Sequence, residues 1–160
     1  MKKIVITCLC GFILVINFSC LAQSRMIIVD KPNLQLYVIE QADTLLSAPV
    51  CVGANHGDKV NKGDQRTPEG VFDIVQIQNS SKWKHDLGNG EGKIRDAYGP
   101  WFIRLRTPKW TDIGIHGTCF PESIGKRESE GCVRLRNEDL IKLKALIKVG
   151  MKVVITKDEL

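Results

Sequence analysis

The residues most able to do chemistry lie in "IHGTCFPESIGKRESEGCVRL", Ile115 to Leu135, where His116, Cys119 and Cys132 fall within seventeen positions. Three kinds of chemistry fit such a set. A zinc ion takes thiolate and imidazole ligands, and His85 or Cys51 would supply a fourth. Structural zinc sites, however, pair closely spaced ligands twice, and Cys132 has no Cys or His within four residues. A disulfide between Cys119 and Cys132 would close a short loop, contributing on the order of 3 kcal/mol in the chain-entropy model. The third chemistry is nucleophilic. A thiol attacks as the thiolate and needs an imidazole to take its proton, and His116 is the histidine nearest a cysteine-bearing loop. Gly131 beside Cys132 lets the backbone approach a substrate and turn amides toward a developing oxyanion. The bland reading is a buried core thiol and a satisfied histidine. It suits Cys51 within "APVCVG" and Cys119 best, and by residue type alone it stays open beside the catalytic reading for Cys132.

The elements that must position these residues are mostly strands. "RMIIVDK" and "NLQLYVIE" are separated by a turn at "KPN", and "LLSAPVCVG" ends on Gly53. A polar loop follows over 55–65, then "TPEGVFDIVQI" as a strand after Pro68 and Gly70. Residues 79–99 are irregular and glycine-rich, a length of loop that is usually functional or mobile, and Trp83, Lys84 and Tyr98 within it are expected to wall a cleft. "PWFIRLR" and "IGIHG" are short strands, the second ending at the motif. Asn137 is expected to cap a helix through "LIKLKALIK", with Lys148 near its end and Gly150 beyond, before "MKVVIT" closes as a strand. The pattern is a single mixed α/β domain, mostly β with one helix, rather than alternating βαβ units.

The 160 residues, 43% hydrophobic and 26% charged, suit one globular domain. Residues 1–22 read as a signal peptide: Lys2 and Lys3, the apolar run Ile4 to Phe18, then small residues before a cut after Ala22. The run is shorter than the about 20 residues a spanning helix needs. A lipid anchor at Cys20 is the alternative, although the lipoprotein pattern prefers Leu where Asn17 stands. Removing Lys2 and Lys3 lowers the formal charge from +5 to +3, with no block of like charge to bind nucleic acid. Cys51, Cys119 and Cys132 remain, an odd number that predicts a free thiol in an exported chain. The last four residues spell the "KDEL" retention address of the endoplasmic reticulum, but also read as ordinary surface residues after a strand.

His116-Gly117-Thr118 followed by Ser129-Glu130-Gly131-Cys132-Val133-Arg134 resembles the signature of the L,D-transpeptidase catalytic domain, the YkuD family. "TPEGVF" and "YGPWFIRL" resemble further segments of that domain, and the likeness covers residues 25–156. The resemblance implies a β-sandwich domain of an exported bacterial protein, in the periplasm or cell envelope, acting on peptidoglycan stem peptides with no cofactor or metal. It implies Cys132 as nucleophile, His116 as base and later acid, and the Gly117 carbonyl as the group that orients the imidazole. Amides around Gly131 and Cys132 would form the oxyanion hole. Arg134 would hold a substrate carboxylate, and Ser129, Gly131, Tyr98 and Trp101 would line the substrate site. A monomer is expected. The sequence departs from the family where Glu130 replaces the usual His, placing a carboxylate two residues from the nucleophile, where it disfavours the thiolate yet favours an approaching amine. The implied reaction joins two stems by a 3-3 crosslink. The rival acceptor at the same site is water, which would make an L,D-carboxypeptidase or amidase. A rival of another class is a non-catalytic wall-binding module.

Overall fold

The computed structural model describes residues 25–86, 90 and 92–158. The signal peptide of residues 1–22 and the Cys20 anchor expected from the sequence lie outside the described residues. Among the described residues, twelve strands and one α-helix follow in order: β1 (Arg25–Asp30), β2 (Gln35–Glu40), β3 (Asp43–Pro49), β4 (Val52–Gly53), β5 (Gly70–Asn79), β6 (Lys84–Asp86), β7 (Lys93–Arg95), β8 (Trp101–Arg106), β9 (Gly114–His116), β10 (Arg127–Ser129), β11 (Val133–Arg134), α1 (Asn137–Leu146) and β12 (Lys152–Ile155).

Alternation in the sequence sets which side chains point inward, and strand register then aligns them. Ile27 of β1 stands opposite Val38 of β2 and Val153 of β12, and Val153 opposite Phe72 of β5, so one row of apolar side chains crosses four strands. All four are buried. Burying each such side chain is worth roughly 1.5–3 kcal/mol, which is why this register and no other is favoured. Eight strands form one sheet in the order β11-β9-β8-β5-β12-β1-β2-β3. Its two halves, with Leu140 and Leu143 of α1, feed a single core, so the two faces of the expected sandwich come from one hydrogen-bonded sheet. The domain is mostly β with one helix, as its sequence pattern implies.

The irregular reading of 79–99 was too loose. β5 continues to Asn79, and β6 and β7 pair as an antiparallel hairpin, Lys84 with Arg95 and His85 with Ile94. Asn137 is not a cap: Arg136 occupies that place, and Asn137 opens the helix with its side chain turned to another task. The C-terminal segment is also more than surface. The Asp158 side chain is 1% exposed and paired with Lys31, itself fully buried, and with Arg127, while its Oδ2 accepts the Gly57 N–H at 2.7 Å. Lys31 reaches Glu69 at 2.8 Å and the carbonyls of Gly57 and Thr67. Asp158, expected as an ordinary surface residue, is thus built into a buried ion cluster.

Candidate active site

His116 is the last residue of β9, a buried strand between β8 and β11, where it stands opposite Phe102 on one side and Arg134 on the other. Its ring stacks on that of Phe102, with centroids 5.4 Å apart and 11° between planes, and meets the edge of Tyr98 at 5.0 Å. Nδ1 lies 2.6 Å from the carbonyl oxygen of Gly117. A carbonyl only accepts, so Nδ1 carries the proton and Nε2 is left as the acceptor.

The Gly117 peptide is itself held on three sides. Its N–H donates to the Tyr98 carbonyl at 2.9 Å, and the next amide, of Thr118, donates to Asn137 Oδ1 at 3.0 Å. The backbones of Gly117 and Gly99 approach so closely that a Cβ on Gly117 would sit 2.1 Å from Asn137 Oδ1 and 3.0 Å from the Gly99 Cα. Only glycine fits there.

Cys132 follows a tight turn that Ser129 pins. The Ser129 hydroxyl donates to the Cys132 carbonyl at 2.6 Å and accepts the Gly131 N–H at 3.1 Å. Gly131 has φ +133°, and a Cβ there would meet the Arg66 carbonyl at 2.8 Å. The expectation that the Gly131 amide points at a substrate oxyanion is therefore revised, because its hydrogen is already donated within the turn. The Ser129 hydroxyl is likewise engaged in the turn, so Ser129 shapes the wall without offering a free donor.

Cys132 and His116 open on the same cavity of about 710 Å³, with Tyr98, Ser129, Glu130 and Arg134 on its walls. Burial in the cavity wall pushes the Cys132 thiol up to about 11; the Gly114 backbone and Arg134 pull the other way, and Asp112 and Glu130 add to the rise. Its Sγ is 3.3 Å from the Asp112 carbonyl, a partner for a protonated thiol. Burial pushes His116 down to about 4, against the Gly117 carbonyl and with the charges of Arg134 and His85. The resting pair at neutral pH is thus thiol and neutral imidazole, a nucleophile that is activated as its proton is taken during attack.

Other sequence-based candidates stand elsewhere. Trp101 does not line the cavity: Lys144 of α1 lies 4.5 Å over its ring, and the indole packs against the core. Trp83 supports the wall from behind, 5.8 Å from Tyr98 and 5.5 Å from Phe102. Cys51 is fully buried, Cys119 is half-exposed beside Arg136 and Asn137, and both are free thiols, as is Cys132. Among the described residues no three His, Cys, Asp or Glu side chains gather as a metal ion would require.

The sequence reading passed over a basic arm of the same cavity, formed by Lys59, Lys62 and Lys109 with Trp110. Lys59 is anchored to Asp64 at 2.7 Å and lies 5.3 Å from the Trp110 ring centroid. Burial alone would raise the Asp64 carboxyl, but the amides of Asn61, Val60 and Arg66 and the Lys59 ammonium outweigh it and hold the carboxyl well below its usual range. The "polar loop" of 55–65 is thus folded around Asp64, with Asp58 accepting the Lys59 and Glu69 amides beside it. The one signal in the sequence was an Asp among lysines and glycines, which does not distinguish a solvated loop from a folded one.

Comparison with known proteins gives the family and the fold. The family model of the L,D-transpeptidase catalytic domain, YkuD, matches residues 24–155. The protein named "Putative L,D-transpeptidase YqjB" of Bacillus subtilis (strain 168) is 38% identical over 101 residues, 61% of this chain and 56% of that protein. "Putative L,D-transpeptidase YkuD" of the same organism is 48% identical over 92 residues, 58% of this chain and 46% of that protein. The chain spans about half the length of the curated relatives it matches. Among solved structures, an L,D-transpeptidase from Mycobacterium smegmatis superposes with a TM-score of 0.65 at 17% identity, covering 84% of this chain and 59% of that one, a likeness of fold.

Proposed function

The chain belongs to the L,D-transpeptidase catalytic-domain family, and from that premise we propose that it is a cysteine acyltransferase working on peptidoglycan stem peptides in the bacterial cell envelope, reached by export through the leader of residues 1–22. The observation that carries this reading is the shared cavity of Cys132 and a His116 whose Nδ1 is committed to the Gly117 carbonyl.

In the first half-reaction His116 Nε2 takes the Cys132 proton as Sγ attacks the carbonyl carbon of the third stem residue. The oxyanion forms beside the Cys132 N–H, the motif amide that the Ser129 turn leaves for it. Collapse expels the terminal D-amino acid, whose amine receives the proton from His116, and leaves a thioester. In the second half-reaction the side-chain amine of a second stem's diamino acid attacks the thioester, gives a proton to His116, and expels the thiolate, which recovers that proton. The product is a 3-3 crosslink, and the kinetics are ping-pong. Arg134, beside His116 on the neighbouring strand, offers a planar fork for a substrate carboxylate.

Mass spectrometry of the protein incubated with tetrapeptide muropeptides tests this. A thioester on Cys132 with release of one terminal D-amino acid is expected, absent from Cys132→Ser. Undiminished crosslinking by Cys132→Ser would overturn it.

A further inference from the structure

Glu130 stands on the cavity wall two residues before Cys132, with its side chain 57% exposed. The hairpin of β6 and β7 brings His85 to it: Nε2 lies 3.4 Å from each carboxylate oxygen. The other ring nitrogen, Nδ1, is 2.9 Å from the Tyr98 hydroxyl. Burial, followed by the nearby Cys132 and Glu130, raises the Tyr98 phenol above its ordinary value, so the hydroxyl keeps its hydrogen and can donate it. A carboxylate only accepts, so the His85 ring, held at Nδ1 by Tyr98, presents Nε2–H to Glu130. The carboxylate is thereby aimed into the cavity while its side chain stays 57% exposed.

Among the described residues the wall holds one other acidic side chain, Asp112. It faces Arg104 at 3.6 Å and is 87% exposed, so its charge is answered by a cation and by water. Lys59, Lys62, Lys109 and Arg134 make the rest of the charged wall basic. Among the described residues, a cation that enters therefore meets one oriented carboxylate that no lysine or arginine pairs with, and meets it next to the nucleophile. In the first half-reaction that charge is unhelpful, because a carboxylate close to Cys132 opposes the thiolate. In the second, the thiolate has become a neutral thioester and an amine must be brought to it.

We infer that Glu130 is the specificity-determining residue for the acyl acceptor: its carboxylate, positioned by His85 and Tyr98, seats a primary ammonium group beside the Cys132 thioester. This rests on the acyltransferase reading above. The bound ammonium releases one proton to water to become the attacking amine. A second proton passes through His116 to the departing Cys132 sulfur, and the third stays on the new amide nitrogen.

The test separates the half-reactions. Wild type and Glu130→Gln, which keeps an acceptor for His85 but no charge, are loaded with a tetrapeptide muropeptide. Thioester formation is followed by mass spectrometry. The thioester is then challenged at pH 7 with a diamino-acid peptide, which is cationic, and with hydroxylamine, which is mostly neutral there. Glu130→Gln is expected to acylate faster than wild type. It is expected to lose about tenfold in kcat/KM toward the cationic amine relative to hydroxylamine, mainly through KM, with Glu130→Asp recovering part of the loss. Equal transfer to the cationic amine by Glu130→Gln and wild type would overturn the assignment, as would an equal loss toward both nucleophiles. Should the wild type form no thioester, the acyltransferase reading itself fails, a result distinct from a thioester that ignores Glu130.

Discussion

Phe102 and His116 face each other on adjacent strands, their rings 5.4 Å apart and 11° from parallel. The imidazole is therefore fixed in two ways, in its plane by the Gly117 carbonyl and across its face by an aromatic ring. A base whose rotation is limited before the substrate arrives loses little entropy during the reaction. Phe102→Leu keeps an apolar side chain but removes the flat support. Acylation of Cys132 is expected to slow about tenfold and stability to fall by about 1–2 kcal/mol, measured by single-turnover mass spectrometry and denaturant titration.

The two titrating groups give a pH profile with a wide plateau. His116 acts as base only when neutral, so kcat/KM is expected to fall as pH drops through about 4. The Cys132 thiol loses its proton near 11. Alkylation by iodoacetamide in the absence of substrate should consequently be slow at pH 7 and accelerate as pH rises toward that value. Fast alkylation at pH 6 would show a preformed thiolate instead.

Gly117→Ala places a methyl group 2.1 Å from Asn137 Oδ1. Relief requires Asn137 to move, which releases the Thr118 amide and shifts the carbonyl that aims His116. Overpacking of this kind costs about 1–3 kcal/mol, and the expected readout is a loss of acylation larger than the loss of stability predicts.

Lys31→Met leaves Asp158 and Glu69 without their buried cation. Removing one partner of a buried pair costs about 3–5 kcal/mol, to be measured in urea at pH 7. Burial would raise the Asp158 carboxyl, but the Gly57 amide and the Lys31 and Arg127 charges prevail and lower it. A carboxylate depressed in the folded state stabilises above its unfolded pKa and loses that contribution as pH falls through its folded value. The variant is therefore expected to show a shallower loss of stability on acidification than the wild type.

The strands of the main sheet were legible because Ile27, Val29, Leu36 and Val38 alternate with less buried neighbours, and alternation is a backbone property that survives any tertiary context. The β6 and β7 hairpin was not, since "KHD" and "KIR" hold one apolar residue between them, Ile94, and form through pairing with each other. His85 was invisible for the same reason: from the sequence it could be weighed only as a metal ligand, whereas its role depends on a hairpin that the pattern did not announce. Asn137 looked like a cap because asparagine usually caps. The fold instead uses its amide oxygen to hold Thr118, a long-range need that no local propensity encodes. Trp101 stood near the right strand but faces the helix, and only the register of β8 decides that.

β12 lies between β1 and β5, pairing with β1 in parallel and with β5 antiparallel. Without it, β1, β2 and β3 have no edge in the main sheet to join to β5, β8, β9 and β11, the half that carries His116 and follows Cys132. The seam between the two halves of the main sheet is thus closed by a strand from beyond α1, so the long-range pairing of β12 is what makes one sheet of two.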